Sequence, residues 1–321
     1  MEQAKNSAPV DLTGLPPETI VQGTGLAWMN LEKPTRPQLE KLAELYGFHS
    51  LDIDDCLSRL QLPKVDEYNE YLFIIMHFPV FNKKTRIISP SQVAIFYAKN
   101  FLITIHTGDL KCLSNLFKEC KDDDETRKEC LDNDAGYLCY RIVDVLVDDR
   151  FPMLNKVLQK LDTVEDQVFD ENIDAVHEVA ILRRDISGQR RIIWAMRTLM
   201  VDLEHRAQRF TDTDLKVYFG DINDHLKRIW GTLEEARDRV EIYKDADFIL
   251  SQDRLQKIMA ILTVITATML PFALISSIYG MNVPLPGTGV QDTHVVGWIL
   301  LGIMTAIAAA LLYIFRRHRW F

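Results

Sequence analysis

The hydrophobic pattern is most distinct near the C-terminus of the chain. Two apolar stretches, residues 258–279 and 295–315, contain no charged residue. At about 1.5 Å per residue, each is long enough as a helix to cross the roughly 30 Å hydrocarbon core of a bilayer. Both stretches are therefore predicted to be transmembrane helices.

Upstream of the first span, the pattern indicates long helices. Residues 153–270 contain no proline and only three glycines, and apolar residues recur every three or four positions. No helix breaker separates Asp221 from the first span, so this helix is predicted to continue into the span, over on the order of 100 Å. Its apolar stripe is predicted to be buried against other helices: Leu215, Tyr218, Ile222, Leu226, Ile229, Leu233, Ala236, Val240 and Tyr243.

The first part of the chain has β-branched and aromatic runs that are typical of strands. The order of the strands in a sheet does not follow from this pattern. Strands are predicted at 71–80, 92–98 and 101–106, a hairpin turn at 98–101, and helices at 34–47 and 49–60. Together these elements predict an α/β amino-terminal domain.

The charges flanking the two spans predict their orientation. Residues 280–294 contain no Lys or Arg, whereas residues 316–319 are strongly basic and Arg254 and Lys257 precede the first span. Because basic flanks stay in the cytoplasm, both termini and the large soluble part are predicted to be cytoplasmic. No Arg- and Ser-rich transit segment precedes Asp11, so a prokaryotic plasma membrane is expected.

Composition and motifs exclude several classes of function. The chain has 321 residues and a formal net charge of −9, without the basic face that a nucleic-acid partner requires. It has no phosphate-binding G-x-x-x-x-G-K-[ST] loop, so no nucleotide partner is expected. No catalytic constellation appears, and the five cysteines form no C-x-x-C pair. Passive conduction is therefore favoured over an enzyme or a nucleotide-driven pump.

One motif connects this architecture to a known family. Tyr279-Gly280-Met281-Asn282 lies at the outer end of the first span, and here the chain resembles the CorA family of magnesium channels. The segments 62–68, 144–149 and 218–225 also resemble family segments and occur in the family's order. The resemblance extends over almost the whole chain. It implies an α+β membrane protein in which a long helical stalk is continuous with the first of two transmembrane helices, assembled as a funnel-shaped homopentamer.

The resemblance also divides the chain. The expected segments are 1–130, an α/β cytoplasmic domain; 131–255, long cytoplasmic helices and stalk; 256–282, the pore helix; 283–294, an extracytoplasmic loop; and 295–321, the second span and basic tail.

In the family, the motif forms the selectivity filter, here Gly280, Met281 and Asn282. Mg²⁺ gives up its water reluctantly, so a ring of Asn282 carbonyl oxygens is expected to hold the hydrated ion. The resemblance further implies a hydrophobic constriction at Met259 and Leu262 and an acidic ring at Asp245. Helical spacing back from the motif gives the candidate pore face: Ser277, Ala273, Leu270, Thr266, Thr263, Leu262, Met259, Gln256, Gln252, Ile249 and Asp245.

Ala273 and Leu270 replace the threonine and methionine that are common in the family at these two positions, and the outer loop lacks the common Met-Pro-Glu-Leu. The identity of the preferred ion therefore stays open.

The resemblance places regulatory Mg²⁺ between subunits, on carboxylates that match Asp54, Asp55, Asp144 and Asp221. The expected function is potential-driven influx of Mg²⁺, with cobalt or nickel as further ions, closed by cytoplasmic Mg²⁺ and without an organic cofactor. One alternative is a proton-coupled zinc transporter resembling the ZntB branch, which usually carries Gly-Val-Asn. Another is a membrane-anchored metal sensor or scaffold that does not conduct ions.

Overall fold

A computed structural model describes residues 20–22, 25–58, 61–82, 87–170, 175–281 and 293–317. The chain divides into two compact units, Met1–Tyr243 and Lys244–Phe321. The five segments expected from the sequence are finer than this division and stay predictions.

A mixed sheet forms the centre of the first unit. Its order is β1-β2-β6-β5-β4-β3. The neighbours β2 and β6 are parallel, and every other pair is antiparallel. The strands are β1 (Ile20–Gln22), β2 (Ala27–Glu32), β3 (Lys64–Glu67), β4 (Leu72–Asn82), β5 (Ile87–Tyr97) and β6 (Phe101–His106).

Helices cover both faces of this sheet, which explains why residues 72–79 of β4 and all of β6 are buried without alternation. On one face, α1 and α2 pack on the alternate strand residues Phe73, Ile75 and Phe96. On the other face, α3, α5 and α7 contact the sheet. The helices are α1 (Arg36–Tyr46), α2 (Ser50–Leu57), α3 (Lys111–Asp122), α4 (Asp124–Leu131), α5 (Ala135–Asp148), α6 (Phe151–Phe169), α7 (Val176–Ala207), α8 (Leu215–Tyr279) and α9 (Thr293–Arg317).

The predicted strands and the hairpin turn are confirmed. Ala98 N donates to Phe101 O at 3.0 Å, and Tyr97 pairs with Leu102 in the antiparallel ladder. Both predicted helices are present, although residues 59–60 of the second prediction lie outside the described residues. The strands β1, β2 and β3 were not predicted. The strands β1 and β3 have only three and four residues, and β2 has no β-branched residue, whereas β6 has three.

The long helical region is three helices, α6, α7 and α8, and the predicted continuity of the last is confirmed because α8 runs for 65 residues. Its apolar stripe is buried as predicted, with one correction. The side chain of Tyr218 is only half-buried, and its ring lies against the Tyr137 and Tyr140 rings at 5.5 and 4.9 Å. Phe219 is the fully buried residue of that turn.

Asp134 fixes the start of α5 against the turn that precedes α8. Its carboxylate accepts hydrogen bonds from Tyr137 N at 3.0 Å and from Thr213 N at 3.0 Å, and also from the Thr211 hydroxyl. Close packing against Thr211 and Leu215 leaves no room for a side chain at Gly136. A Cβ there would lie 2.7 Å from Thr211 Oγ1.

The second unit contains the apolar part of α8 and helix α9. Each has a window with mean hydropathy of 2.3, long and apolar enough to cross a membrane. The threonine hydroxyls on these helices donate to carbonyls of the preceding turn, for example Thr266 to Leu262 O at 2.9 Å and Thr305 to Leu301 O at 2.7 Å. Their polar groups are therefore satisfied without water, as an apolar medium requires.

Substituting Gly136→Ala should destabilise the protein by about 1–3 kcal/mol, because the new methyl group overlaps Thr211 and Leu215. The midpoint of thermal unfolding of the full-length protein in detergent measures this effect. Gly231→Ala is the matched control, since nothing lies within 4 Å of a Cβ there and alanine favours the helix. A drop in midpoint for Gly231→Ala that equals the drop for Gly136→Ala would contradict the packing argument.

Candidate metal centre and pore helix

A cluster of two carboxylates and one imidazole lies between α5 and α8. Asp144 and Asp148 are one helical turn apart on α5, and His225 faces them from α8. One ligand atom from each of the three residues lies within 4.8 Å of the other two. Metal–ligand bonds of about 2.0–2.6 Å place ligand atoms within such distances of one another. The three side chains therefore have the spacing that a single divalent cation requires.

The imidazole is oriented towards the carboxylates without being hydrogen-bonded to them. His225 Nδ1 lies 3.0 Å from Asp148 Oδ1, yet this buried nitrogen makes no hydrogen bond. The Phe151 ring packs edge-on against the imidazole, with 5.6 Å between centroids. Two atoms bound to one ion at about 2.1 Å lie about 3 Å apart in an octahedral shell, so this separation fits two ligands of a shared ion.

Charge repulsion is concentrated at Asp144, whose residue surface is only 8 % exposed. Burial raises the pKa of this carboxyl group, and the nearby carboxylates of Asp148 and Asp221 raise it further. Arg141, at 3.4 Å, offsets part of this effect. A divalent cation bound here would favour the ionised form and remove the repulsion.

The donor types indicate which ions fit the cluster. Two carboxylates suit Mg²⁺, which completes its octahedral shell with water. The imidazole adds affinity for Co²⁺, Ni²⁺ and Zn²⁺, which bind nitrogen better than Mg²⁺ does.

The four regulatory aspartates expected from the resemblance fall at two places within one chain. Asp144 belongs to the cluster, and Asp221 lies beside it, with an oxygen 3.9 Å from His225 Nε2. Asp54 and Asp55 lie on α2 and are not part of the cluster.

Sequence reasoning did not assign Asp148 and His225 as ligands. The signal was present, because each follows an expected aspartate by four residues on the same helix.

A buried carboxylate holds α2 against the sheet. Asp52 is 1 % exposed and accepts hydrogen bonds from the hydroxyls of Tyr68 at 3.0 Å and Tyr71 at 2.9 Å. Burial raises the pKa of Asp52, although both hydroxyl groups act to lower it. Asp54 and Asp55 on the same helix are each paired with a cation, Arg36 at 2.8 Å and Lys64 at 2.7 Å respectively.

All of the candidate pore residues in the described part of α8 are exposed in the single chain. The proposed filter residues Gly280 and Met281 are also exposed, and Asn282 lies outside the described residues. At Gly280 a Cβ would lie 3.0 Å from Ser276 O, so the end of α8 favours glycine. The exposed candidates are Asp245, Ile249, Gln252, Gln256, Met259, Leu262, Thr263, Thr266, Leu270, Ala273 and Ser277.

Helix α8 begins beside the carboxylate–imidazole cluster and ends in a stretch apolar enough to cross a membrane, as α9 is. These features are those of a membrane protein with a candidate metal site. The sequence model of the CorA-like Mg²⁺ transporter family matches residues 23–317. The chain belongs to this family.

Several relatives resemble the chain over most of its length. YfjQ of Bacillus subtilis, assigned to metal ion transport, is 29% identical, with 92% of this chain and 89% of that protein aligned. The cobalt/magnesium transport protein CorA of Thermotoga maritima is 26% identical, with 91% of this chain and 83% of that protein aligned. The solved structure of the CorA magnesium transporter from Methanocaldococcus jannaschii shares the fold, with a TM-score of 0.77, 23% identity and 92% of each chain covered.

Co²⁺ should stabilise the full-length protein through the cluster. Asp144→Asn and His225→Ala should each raise the Co²⁺ concentration at half-maximal stabilisation by at least about tenfold, because each removes one ligand. Thermal unfolding of chelator-treated protein at increasing Co²⁺ concentration measures this. Asp224→Asn is the control, since Asp224 lies beside His225 but is exposed and paired with Lys227 at 2.8 Å. Unchanged Co²⁺ dependence in His225→Ala would exclude the imidazole as a ligand.

The pH dependence of stability should also reveal Asp144. Because folding raises the pKa of Asp144, the ionised carboxylate destabilises the folded state above that pKa, and protonation removes the penalty as the pH falls. In chelator, Asp144→Asn should therefore unfold at a higher temperature than wild type at about pH 8, and the difference should shrink as the pH falls towards about 4, the ordinary pKa of an aspartic acid side chain. Asp224→Asn should show no such convergence. A difference between Asp144→Asn and wild type that is constant with pH would contradict this assignment.

Proposed function

We propose that this protein is a homopentameric divalent-cation channel that conducts Mg²⁺ into the cell, driven by the membrane potential and closed by cytoplasmic Mg²⁺. Cobalt and nickel are further ions of the same size and charge. The proposal places the protein in the plasma membrane of a prokaryote, with both termini in the cytoplasm, because the basic flanks of the spans favour that orientation.

The polar residues along the candidate pore face of α8 are the observation that carries this proposal. Asp245, Gln252 and Gln256 are exposed at the polar end of the face, and Thr263 and Thr266 continue it into the apolar part of α8. Polar groups in a membrane segment are expected to face protein or water rather than lipid. Two helices cannot enclose a pore by themselves, so a ring of copies must cover this face.

In that ring, Asn282 would form the outer filter together with Gly280 and Met281. Its amide oxygens can accept hydrogen bonds from the water shell of Mg²⁺, so the ion enters without the cost of dehydration. Met259 and Leu262 would form an apolar constriction that closes the pore by excluding water. Asp245 would concentrate cations at the inner mouth.

The regulatory metal would bind carboxylates at the interfaces between subunits. The cluster of Asp144, Asp148 and His225, with Asp221 beside it, provides one group of ligands. Asp54 and Asp55 of a neighbouring copy would provide the other. A bound ion cancels the repulsion among these carboxylates and favours the closed ring, so a fall in cytoplasmic Mg²⁺ favours the open one.

The membrane potential suffices to drive this transport. A divalent cation gains about 4.6 kcal/mol when it moves inward through a potential of about 100 mV, inside negative. This energy sustains a concentration ratio of about 2000-fold. No nucleotide or proton gradient is needed for influx.

Two alternatives make different predictions. A proton-coupled zinc transporter resembling the ZntB branch shares the architecture, but Met281 stands where that branch usually carries valine. A metal sensor or scaffold would bind ions without conducting them, and the polar residues along the candidate pore face count against it.

Purified wild-type protein in liposomes should take up Mg²⁺ under an inside-negative potential, and Asn282→Ala should abolish uptake. Thr266→Val should reduce uptake because it removes a hydroxyl from the proposed pore face. Thr268→Val is the matched control, since its hydroxyl bonds to Val264 O at 2.9 Å in the same manner but lies off that face. Zinc uptake that requires a proton gradient, without Mg²⁺ uptake, would replace the proposal with the zinc transporter. Uptake of neither ion would favour the sensor.

A further inference from the structure

Asp54 and Asp55, the carboxylates on α2 proposed to bind regulatory metal, already have cationic partners within the same chain. Lys64 Nζ lies 2.7 Å from Asp55 Oδ2, and Arg36 Nη2 lies 2.8 Å from Asp54 Oδ1. A metal ion that binds either carboxylate must therefore displace the side-chain cation or share the carboxylate with it.

The two pairs differ in strength. The side chains of Arg36 and Asp54 are 56% and 55% exposed, so water and salt screen their attraction. The side chains of Lys64 and Asp55 are 34% and 18% exposed, where the same charges interact more strongly. The ammonium group of Lys64 also lies 5.4 Å from the centroid of the Phe73 ring, which favours a cation at this position.

Lys64 is shared between two carboxylates. Its Nζ lies 2.5 Å from Asp66 Oδ2 as well as 2.7 Å from Asp55 Oδ2. The ammonium group can therefore keep one full ion pair with Asp66 after Asp55 turns to another cation. Displacement of Lys64 from Asp55 therefore does not leave the charge of Lys64 uncompensated.

Both partners of the pair lie on fixed elements. Lys64 begins β3 and pairs with Ile75 of β4. The main-chain oxygen of Asp55 accepts hydrogen bonds from Gln92 Nε2 and from the Ser58 hydroxyl, both at 3.0 Å. The contact between Lys64 and Asp55 thus joins two elements of the same chain.

We propose that Lys64 is a tethered competitor of the regulatory divalent cation at Asp55 and sets the Mg²⁺ concentration at which the site fills. This inference rests on the proposed function, because it assumes that Asp55 binds the regulatory ion. When Mg²⁺ binds Asp55, the ammonium group of Lys64 leaves Asp55 and keeps its ion pair with Asp66. When Mg²⁺ leaves, Lys64 neutralises Asp55 again.

Substitutions of Lys64 and of Asp66 should shift the Mg²⁺ concentration for half-maximal stabilisation in opposite directions. Lys64→Gln should lower the Mg²⁺ concentration for half-maximal thermal stabilisation by about tenfold, because the competing charge is gone. Asp66→Asn should raise this concentration, because of the two carboxylates only Asp55 is then left to pair with Lys64. Lys64→Arg should stay close to wild type, and Arg36→Gln should shift the value by less than about twofold, because its pair is exposed.

The measurement is the thermal unfolding midpoint of the full-length protein in detergent, titrated with Mg²⁺ after chelator treatment. The double variant with Lys64→Gln and Asp66→Asn separates competition from a direct contact between Asp66 and the ion. If Asp66 acts through Lys64, Asp66→Asn should have little effect in the Lys64→Gln background. The metal-free midpoints report any general loss of stability.

Shifts of the same sign in Lys64→Gln and Asp66→Asn, or no shift in Lys64→Gln, would overturn the inference. In that case, loss of the Mg²⁺ response in Asp55→Asn would still support Asp55 as a regulatory ligand. An unchanged Mg²⁺ response in Asp55→Asn would overturn both the competition and the regulatory role of Asp55. Mg²⁺ uptake into liposomes would then decide whether conduction itself remains.

Discussion

The uninterrupted backbone hydrogen bonding of α8 is the constraint on which the other features depend. Over its 65 residues it carries Asp221 and His225 in the first unit and the candidate pore face in the second. A helix keeps the spacing and facing of its side chains fixed along its length. The residues near the candidate metal cluster and the residues proposed to line the pore therefore belong to one continuous helix.

The acidic side chains of the first unit differ in how far their charges are compensated within the chain. Asp52 is buried and fully hydrogen-bonded, and Asp55 has an ammonium partner, so α2 is compensated within its own chain. Asp144 is different, because burial and neighbouring carboxylates both disfavour its charge and Arg141 offsets only part of the penalty. A site of this kind gains most from a divalent cation, whereas a compensated site exchanges one cation for another.

The second unit shows the complementary arrangement. Its threonine hydroxyls donate to carbonyls of the same helix, so they remain satisfied in an apolar environment. The exposed apolar side chains of α8 and α9 need lipid or further helices to cover them. Both properties suit a membrane protein.

The sequence by itself determined the two spans, the continuity of α8 and the polar face near the motif, because these depend on local periodicity and on the absence of charges or breakers. It did not determine the strand order, since the parallel pairing of β2 with β6 joins residues far apart in the chain. It also predicted Asp144 and Asp221 through resemblance but not Asp148 or His225 as ligands, and it gave no sign that Lys64 bridges Asp55 and Asp66. These contacts arise only when α5 packs against α8 and β3 lies beside α2. Tertiary packing therefore decided which charges meet, because a charged residue in a sequence shows its sign but not its partner.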